Sequence, residues 1–299
     1  MVRTGLVPSM NKVVVGVMDL TQPRREVLRE RYGPGIKVED DVPAVADACT
    51  DDHNCWPPMG GIEIMPSFNI NRWCTSAFVA RIQSTGQKVL ITAGHCIWAN
   101  KGSDEQLEHD NHNIGKAKDW VFEDEATADV GIIGMYNTVQ DQFLHPAFNR
   151  FMRGPSVPTI GTLVGTVAGE QQAEGFLVCR MGRTSHKDCG MIVKELSKNE
   201  SCAKNVNNVE KCWDIRKTIE LNFDSTGGDS GGSVYSNSEV GQESGIGYGL
   251  HVHSDPDPPA AIPDGQLTRR SWYSPLNWAR QTLIDYDGVT INWCLDANC

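Results

Sequence analysis

The stretch Gly228-Asp229-Ser230-Gly231-Gly232 decides how this sequence is read. Glycines on both sides of a serine let the backbone take a tight, exposed turn from which the hydroxyl projects. The same turn can aim two backbone N–H groups at one point where an oxyanion would form. The plain alternative is a flexible Gly/Ser turn between strands. A serine hydroxyl at its ordinary pKa is a weak nucleophile, so the chemical reading requires a base elsewhere in the chain.

A base stands upstream. Leu90-Ile91-Thr92-Ala93-Gly94-His95-Cys96 sets a histidine at the end of an apolar strand, with a cysteine fixing the turn behind it. Taken alone, His95 would read as a satisfied core or surface residue. A catalytic histidine also needs a buried carboxylate, which sets its tautomer and stabilises the imidazolium. Asp129, in Thr127-Ala128-Asp129-Val130-Gly131-Ile132-Ile133, fits best because it opens an apolar strand and so enters the core. Glu123, Asp124 and Glu125 belong to a polar run and read as a solvated loop.

Around these residues the chain reads as all-β. Short apolar runs at 76–80, 88–92, 130–133, 175–178 and 246–250 are separated by Gly, Pro, Asn and Asp. Strands this short, spaced by turns, indicate a sandwich or barrel. A helix is expected near the end, over 276–284. Residues 11–38 form a unit of their own. Lys12-Val13-Val14-Val15-Gly16-Val17 predicts a strand, Thr21 can cap a helix through 24–32, Gly33 and Pro34 stop it, and 36–38 predicts a second strand. Between Glu39 and Gly61 the chain turns acidic and Pro/Gly-rich, as a linker or cleavable junction would. The expected division is a small α/β segment at 1–40, a linker at 41–61, and two β-barrels at 62–160 and 161–299.

Composition narrows the function classes. The 299 residues are 39% hydrophobic and 22% charged, ordinary for a globular protein. Lys+Arg 27 against Asp+Glu 38 leaves a net charge of −11, the wrong sign for non-specific nucleic-acid binding. No apolar run reaches the roughly 20 residues a membrane helix needs, so no membrane partner is expected. The ten cysteines, read as neighbours, pair as 49/55, 74/96, 179/189, 202/212 and 294/299, though spacing alone does not prove connectivity. An even count at this density predicts disulfides and an oxidising, extracellular address; ten reduced core thiols are the alternative. Val13–Met18 is too short for the apolar core of a signal peptide. Secretion would then imply a segment missing upstream or an export route not legible in the chain.

The order His95, Asp129, Ser230 differs from those of subtilisin and the α/β-hydrolases. With Thr92 to Cys96, Asp129-Val130-Gly131 and Gly228 to Gly232, the chain resembles the chymotrypsin-like serine peptidases, within them the bacterial streptogrisin and α-lytic protease group. Val178-Cys179-Arg180-Met181-Gly182-Arg183-Thr184, Cys189-Gly190, Tyr273-Ser274-Pro275-Leu276 and Gly288-Val289-Thr290 extend the resemblance over roughly residues 60–292. It implies two six-stranded antiparallel β-barrels with the triad between them, and Cys74–Cys96 and Cys179–Cys189 disulfides. It also implies Ser230 as nucleophile, His95 as general base and then acid, Asp129 orienting His95, and an oxyanion hole from Gly228 and Ser230. The unit at 11–38 resembles the last part of the pro-regions of this group; a permanent N-terminal cover is the other reading. Cys49–Cys55, Cys202–Cys212 and Cys294–Cys299 read as local staples. One departure is the absence of the cysteine that many relatives carry shortly before the nucleophile motif, where this chain has Asp224-Ser225-Thr226-Gly227.

Substrate preference stays open between two signals. Asp224 lies six residues before Ser230, where trypsin-like enzymes keep the aspartate that binds Lys or Arg. His251 sits where similar glutamyl endopeptidases place a histidine that binds an acidic side chain, and their second histidine falls at Tyr273. An apolar or broad pocket is the third option. His251, His253 and Asp255 could suggest a metal, but no third ligand stands at a convincing spacing, so neither a metal nor another cofactor is expected. His109 and His112 read as part of an exposed polar loop.

The expectation is a secreted, monomeric serine endopeptidase that acts on peptides or proteins through an acyl-enzyme. The alternatives are a non-catalytic binding protein on the same fold and a zymogen held inactive by its N-terminal segment.

Overall fold

The computed structural model describes residues 3–7, 12–17, 22–40, 58–66, 73–98, 106–140, 150–152, 160–196, 199–204, 207, 209–223, 225–236, 244–254 and 270–295. The chain forms two compact units, Met1–Ala48 and Cys49–Cys299.

In the smaller unit β1 (Arg3–Val7) runs antiparallel to β2 (Lys12–Val17), and β2 runs parallel to β3 (Ile36–Asp40). A parallel pair needs a crossover, which α1 (Gln22–Tyr32) supplies. Gly33, at φ +69°, ends the helix as its sequence position predicts. β1 had no expectation attached to it, and Thr21 lies outside the described residues.

The larger unit contains two eight-stranded sheets. The first holds β4 (Glu63–Pro66), β5 (Cys74–Thr75), β6 (Val79–Ile82), β7 (Lys88–Thr92), β8 (Gln106–His109), β9 (His112–Val121) and β10 (Val130–Met135). The second holds β11 (Arg150–Met152), β12 (Ile160–Thr166), β13 (Leu177–Gly182), β14 (His186–Leu196), β17 (Thr218–Leu221), β18 (Ser233–Ser236), β19 (Ser244–Ser254) and β20 (Ser271–Pro275). A separate hairpin, β15 (Asn199–Lys204) with β16 (Glu210–Ile215), interrupts the second set. The last strand, β21 (Ile291–Trp293), returns to pair with β6 in the first sheet.

In the second sheet β19, β18, β13, β14, β17 and β20 pair in sequence, and β20 pairs back onto β19, which closes a six-stranded barrel. The first sheet runs in the order β21-β6-β7-β10-β9-β8-β4-β5 and curls as a half-barrel. Every residue of β10 (Val-Gly-Ile-Ile-Gly-Met) is buried, which explains its near-continuous apolar sequence. A short α3 (Asn137–Gln140) follows β10, and α4 (Leu276–Asp287) covers the expected C-terminal helix and runs three residues further. Its Leu276, Trp278, Ala279, Thr282 and Leu283 are buried, and Gly288 caps it in the left-handed conformation at φ +67°.

Three disulfides join pairs of described residues: Cys74–Cys96, Cys179–Cys189 and Cys202–Cys212. Cys294 is disulfide-bonded, while Cys49, Cys55 and Cys299 lie outside the described residues. His109 corrects an expectation: it is fully buried, with Nδ1 2.7 Å from the Glu63 carbonyl, whereas His112 is exposed. Asp110 and Asn111, at φ 49° and 58°, make the tight β8–β9 turn that draws His109 inward. No helix among the described residues is long and apolar enough to cross a membrane.

Candidate active site

His95 follows β7 on a one-turn helix, α2 (Gly94–Trp98), whose residues are all buried. The sequence had suggested a simple strand end. The Cys74–Cys96 bond ties this turn to β5, and the imidazole packs edge-on against Phe122, 5.8 Å between ring centres. Asp129 immediately precedes β10 and is fully buried. Its Oδ2 lies 2.6 Å from His95 Nδ1, and its Oδ1 accepts the backbone N–H of His95 at 2.9 Å. Both carboxylate oxygens therefore bear on one residue, which fixes the ring position and leaves Nε2 as the other ring nitrogen. The Asp129 N–H donates to the Ser274 hydroxyl at 3.3 Å.

Ser230 sits in the turn before β18, half-buried. It lines, together with His95, a cleft of about 440 Å³ bordered also by Ile64, Trp73, Leu107 and Ala203. The amides around it divide into two groups. Those of Asp229, Gly231 and Gly232 donate to Thr226 O, His251 O and Asp229 O at 3.1, 2.7 and 2.9 Å. Those of Gly228 and Ser230 donate to no acceptor among the described residues. Two such amides one residue apart suit an oxyanion.

The turn needs its glycines. Gly228 stands at φ +100° and Gly231 at φ +86°, a region that side chains disfavour. A Cβ on Gly231 would come within 2.1 Å of Thr92 Oγ1 and 2.2 Å of the Thr75 carbonyl. β5 clamps the same turn from the first sheet: Thr75 N–H donates to Ser230 O at 2.7 Å and its hydroxyl to Gly228 O at 2.8 Å.

Asp229 anchors the turn from beneath. Its carboxylate accepts the amides of Thr184, Ser185 and Thr226 at 2.8, 2.9 and 2.9 Å and forms an ion pair with Arg180. Both side chains are fully buried. Burial alone would push the Asp229 carboxyl up, but Arg180 and the amide donors outweigh it and hold the pKa at about 2. Sequence reading quoted Arg180 and Ser274 only within longer signatures, and it missed Thr75 altogether.

The residues that the sequence suggested for substrate specificity come out unequally. Asp224 lies outside the described residues, although its neighbour Ser225 is buried and donates to Ser254 Oγ at 2.6 Å. His251 on β19 is fully buried, and both its ring nitrogens lack a hydrogen-bond partner among the described residues. Burial first, then the positive charge of Arg180, hold it well below the usual histidine pKa, so it is neutral. Tyr273 pairs with it across the β19–β20 ladder, and its hydroxyl donates to Gln172. Burial drives the Tyr273 hydroxyl well above the usual tyrosine range.

Among the described residues, grouped metal-ligand types give no persuasive centre. Cys74 and Cys96, beside His95, are bonded to each other, as are Cys202 and Cys212 near Glu200; Asp124, Glu125 and Asp214 form a surface acidic cluster.

No protein-family model matches the chain. No curated protein matches it either. Solved structures do. The chain is similar to Protease A of Thermobifida fusca, at 19% identity and TM-score 0.52 over 79% of this chain and 98% of that one. It is similar to a Nocardiopsis protease, at 20% identity and TM-score 0.51 over 78% and 98%. A glutamic-acid-specific serine protease, which uses a histidine triad in substrate binding, aligns at 17% identity and TM-score 0.52 over 79% and 100%. The closed barrel, the half-barrel and the C-terminal helix are thus those of the chymotrypsin-like fold found in these proteases.

Proposed function

We propose that this protein is a serine endopeptidase that cleaves peptide bonds through an acyl-enzyme on Ser230. The observation that carries the proposal is the 2.6 Å contact between His95 Nδ1 and Asp129 Oδ2, with His95 and Ser230 lining one cleft. The Ser230 hydroxyl attacks the scissile carbonyl as His95 takes its proton. The amides of Gly228 and Ser230 receive the oxyanion. His95 then returns the proton to the leaving amine, and water hydrolyses the ester by the same route in reverse. None of these steps requires a cofactor. The disulfides suit an extracellular address. The test is fluorophosphonate labelling of the oxidatively folded chain beside Ser230→Ala and His95→Ala. Labelling confined to the wild type supports the reading. A folded wild type that stays unlabelled, even after residues 1–61 are removed, points instead to a binding protein on this fold.

For the substrate side chain we propose an acidic residue at the cleaved bond. Its support is His251, buried, neutral and without a polar partner for either ring nitrogen. A substrate carboxylate would supply the acceptor it lacks and favour its protonation. The glutamic-acid-specific relative offers a parallel use of histidines. A peptide library varied at that position should favour Glu or Asp; a preference for Lys or Arg would assign the pocket to Asp224 instead.

A further inference from the structure

The hairpin β15–β16 belongs to neither sheet, yet it is registered on the segment that carries Asp129. Glu125 N–H donates to Asp214 O at 2.8 Å, Arg216 N–H to Ala126 O at 2.8 Å and Lys217 N–H to Thr127 O at 3.2 Å. Asp214 N–H adds a bond to Asp124 Oδ1 at 3.1 Å. The base of the hairpin is therefore pinned two residues before the triad carboxylate. Further out, the Cys202–Cys212 bond joins directly paired positions of the two strands. Cys202, Ala203 and Lys204 line the cleft beside His95 and Ser230.

Ser201, next to that disulfide, is 1% exposed. Its hydroxyl lies 3.5 Å from Asp129 Oδ2, the oxygen that also faces His95 Nδ1. A buried hydroxyl needs an acceptor for its proton, and among the described residues this carboxylate is the one its geometry offers. The distance is long for an O–H···O bond, and a substrate bound in the cleft would tighten it. Residues 202–204 form the wall that such a substrate would press against, so occupancy of the cleft bears directly on the position of Ser201.

We propose that Ser201 is a positioning residue for the triad: its hydroxyl donates to Asp129 Oδ2 and fixes the oxygen that orients His95, while the stapled hairpin holds it there. The inference rests on the peptidase reading above. Asp129 Oδ1 is already held by the His95 backbone N–H, whereas Oδ2 has, among the described residues, only His95 Nδ1 as a donor besides Ser201. Without Ser201 that oxygen can swing, and the imidazole with it.

The test uses the full chain with Ser201→Ala, Ser201→Thr and Ser201→Val, and reads the rate of fluorophosphonate labelling at Ser230. Losing a hydrogen bond to a charged group should slow Ala and Val about tenfold. Thr, which keeps the hydroxyl, should retain most of the rate. The low-field proton resonance shared by His95 and Asp129 should shift in Ala and Val and return in Thr. If Ala does not fold, Thr and Val decide alone, because they share a shape and differ in the hydroxyl. Labelling of Ala and Val at the wild-type rate, or of Thr as slowly as Val, overturns the role of Ser201 and leaves the peptidase reading standing. A wild type that does not label at all defeats the peptidase reading, and the inference with it.

Discussion

Arg180 and Asp229, both without solvent exposure, form an ion pair one residue away from the serine at the centre of the site. Breaking a buried pair from one side leaves an uncompensated charge, which costs about 3–5 kcal/mol. Arg180→Met should therefore unfold at markedly lower urea. Where it still folds, the Gly228–Ser230 turn should be displaced and fluorophosphonate labelling lost. Equal urea midpoints for variant and wild type would contradict this account.

Under the proposed mechanism, Ser230, His95 and Asp129 should respond differently from one another. Ser230→Ala and His95→Ala should each lose about a million-fold in turnover, since the two act as one unit. Asp129→Asn preserves an acceptor for the His95 backbone N–H but can present an amide N–H to Nδ1, which selects the wrong tautomer. A loss of about ten-thousand-fold with unchanged thermal stability is expected, read by peptide hydrolysis and calorimetry.

Gly231→Ala tests the turn itself. The added Cβ meets backbone and a buried threonine at about 2 Å while φ stands at +86°, so relief requires movement of β5 or β7. A loss of about 2 kcal/mol or more is expected, together with loss of labelling. Gly227→Ala, where a Cβ meets nothing within 4 Å, serves as the control and should be tolerated.

Two carboxylates give the acid stability curve opposite slopes. Asp229 is lowered from 3.8 to about 2 in the fold, so its contribution is present above about pH 4 and is lost as pH falls toward 2. Asp119 on β9 is raised to about 6, by burial first and then by the negative charge of Asp287 at the end of α4. Its contribution is present below about pH 4 and is lost as pH rises through 6. Thermal melts from pH 3 to 7 should show Asp119→Asn abolishing the decline between 4 and 6 while leaving the acid limb near 3 intact.

Much of the site was legible because its signals are local. A serine between glycines, a histidine after an apolar strand and an aspartate before one each leave a mark within a few residues, where backbone sterics and burial act. Strand patterns at 88–92 and 130–133 were legible for the same reason: alternating or continuous burial follows the chain. The one-turn helix at His95 escaped, since five residues carry too little periodicity to separate it from a strand end. The β15–β16 hairpin escaped because its surface strands, exposed at Glu210, Lys211 and Cys212, have no apolar rhythm.

By itself the sequence determined that the protein is an all-β fold with a serine, a histidine and a buried aspartate in one chain order. Only the tertiary structure decided which polar side chains hold that set in place. Thr75 reaches Gly228 across 153 residues, and Ser201 reaches Asp129 across 72. Such partners are chosen by the packing of the two sheets and the hairpin against one another. A hydroxyl that finds its acceptor through space leaves no pattern along the chain.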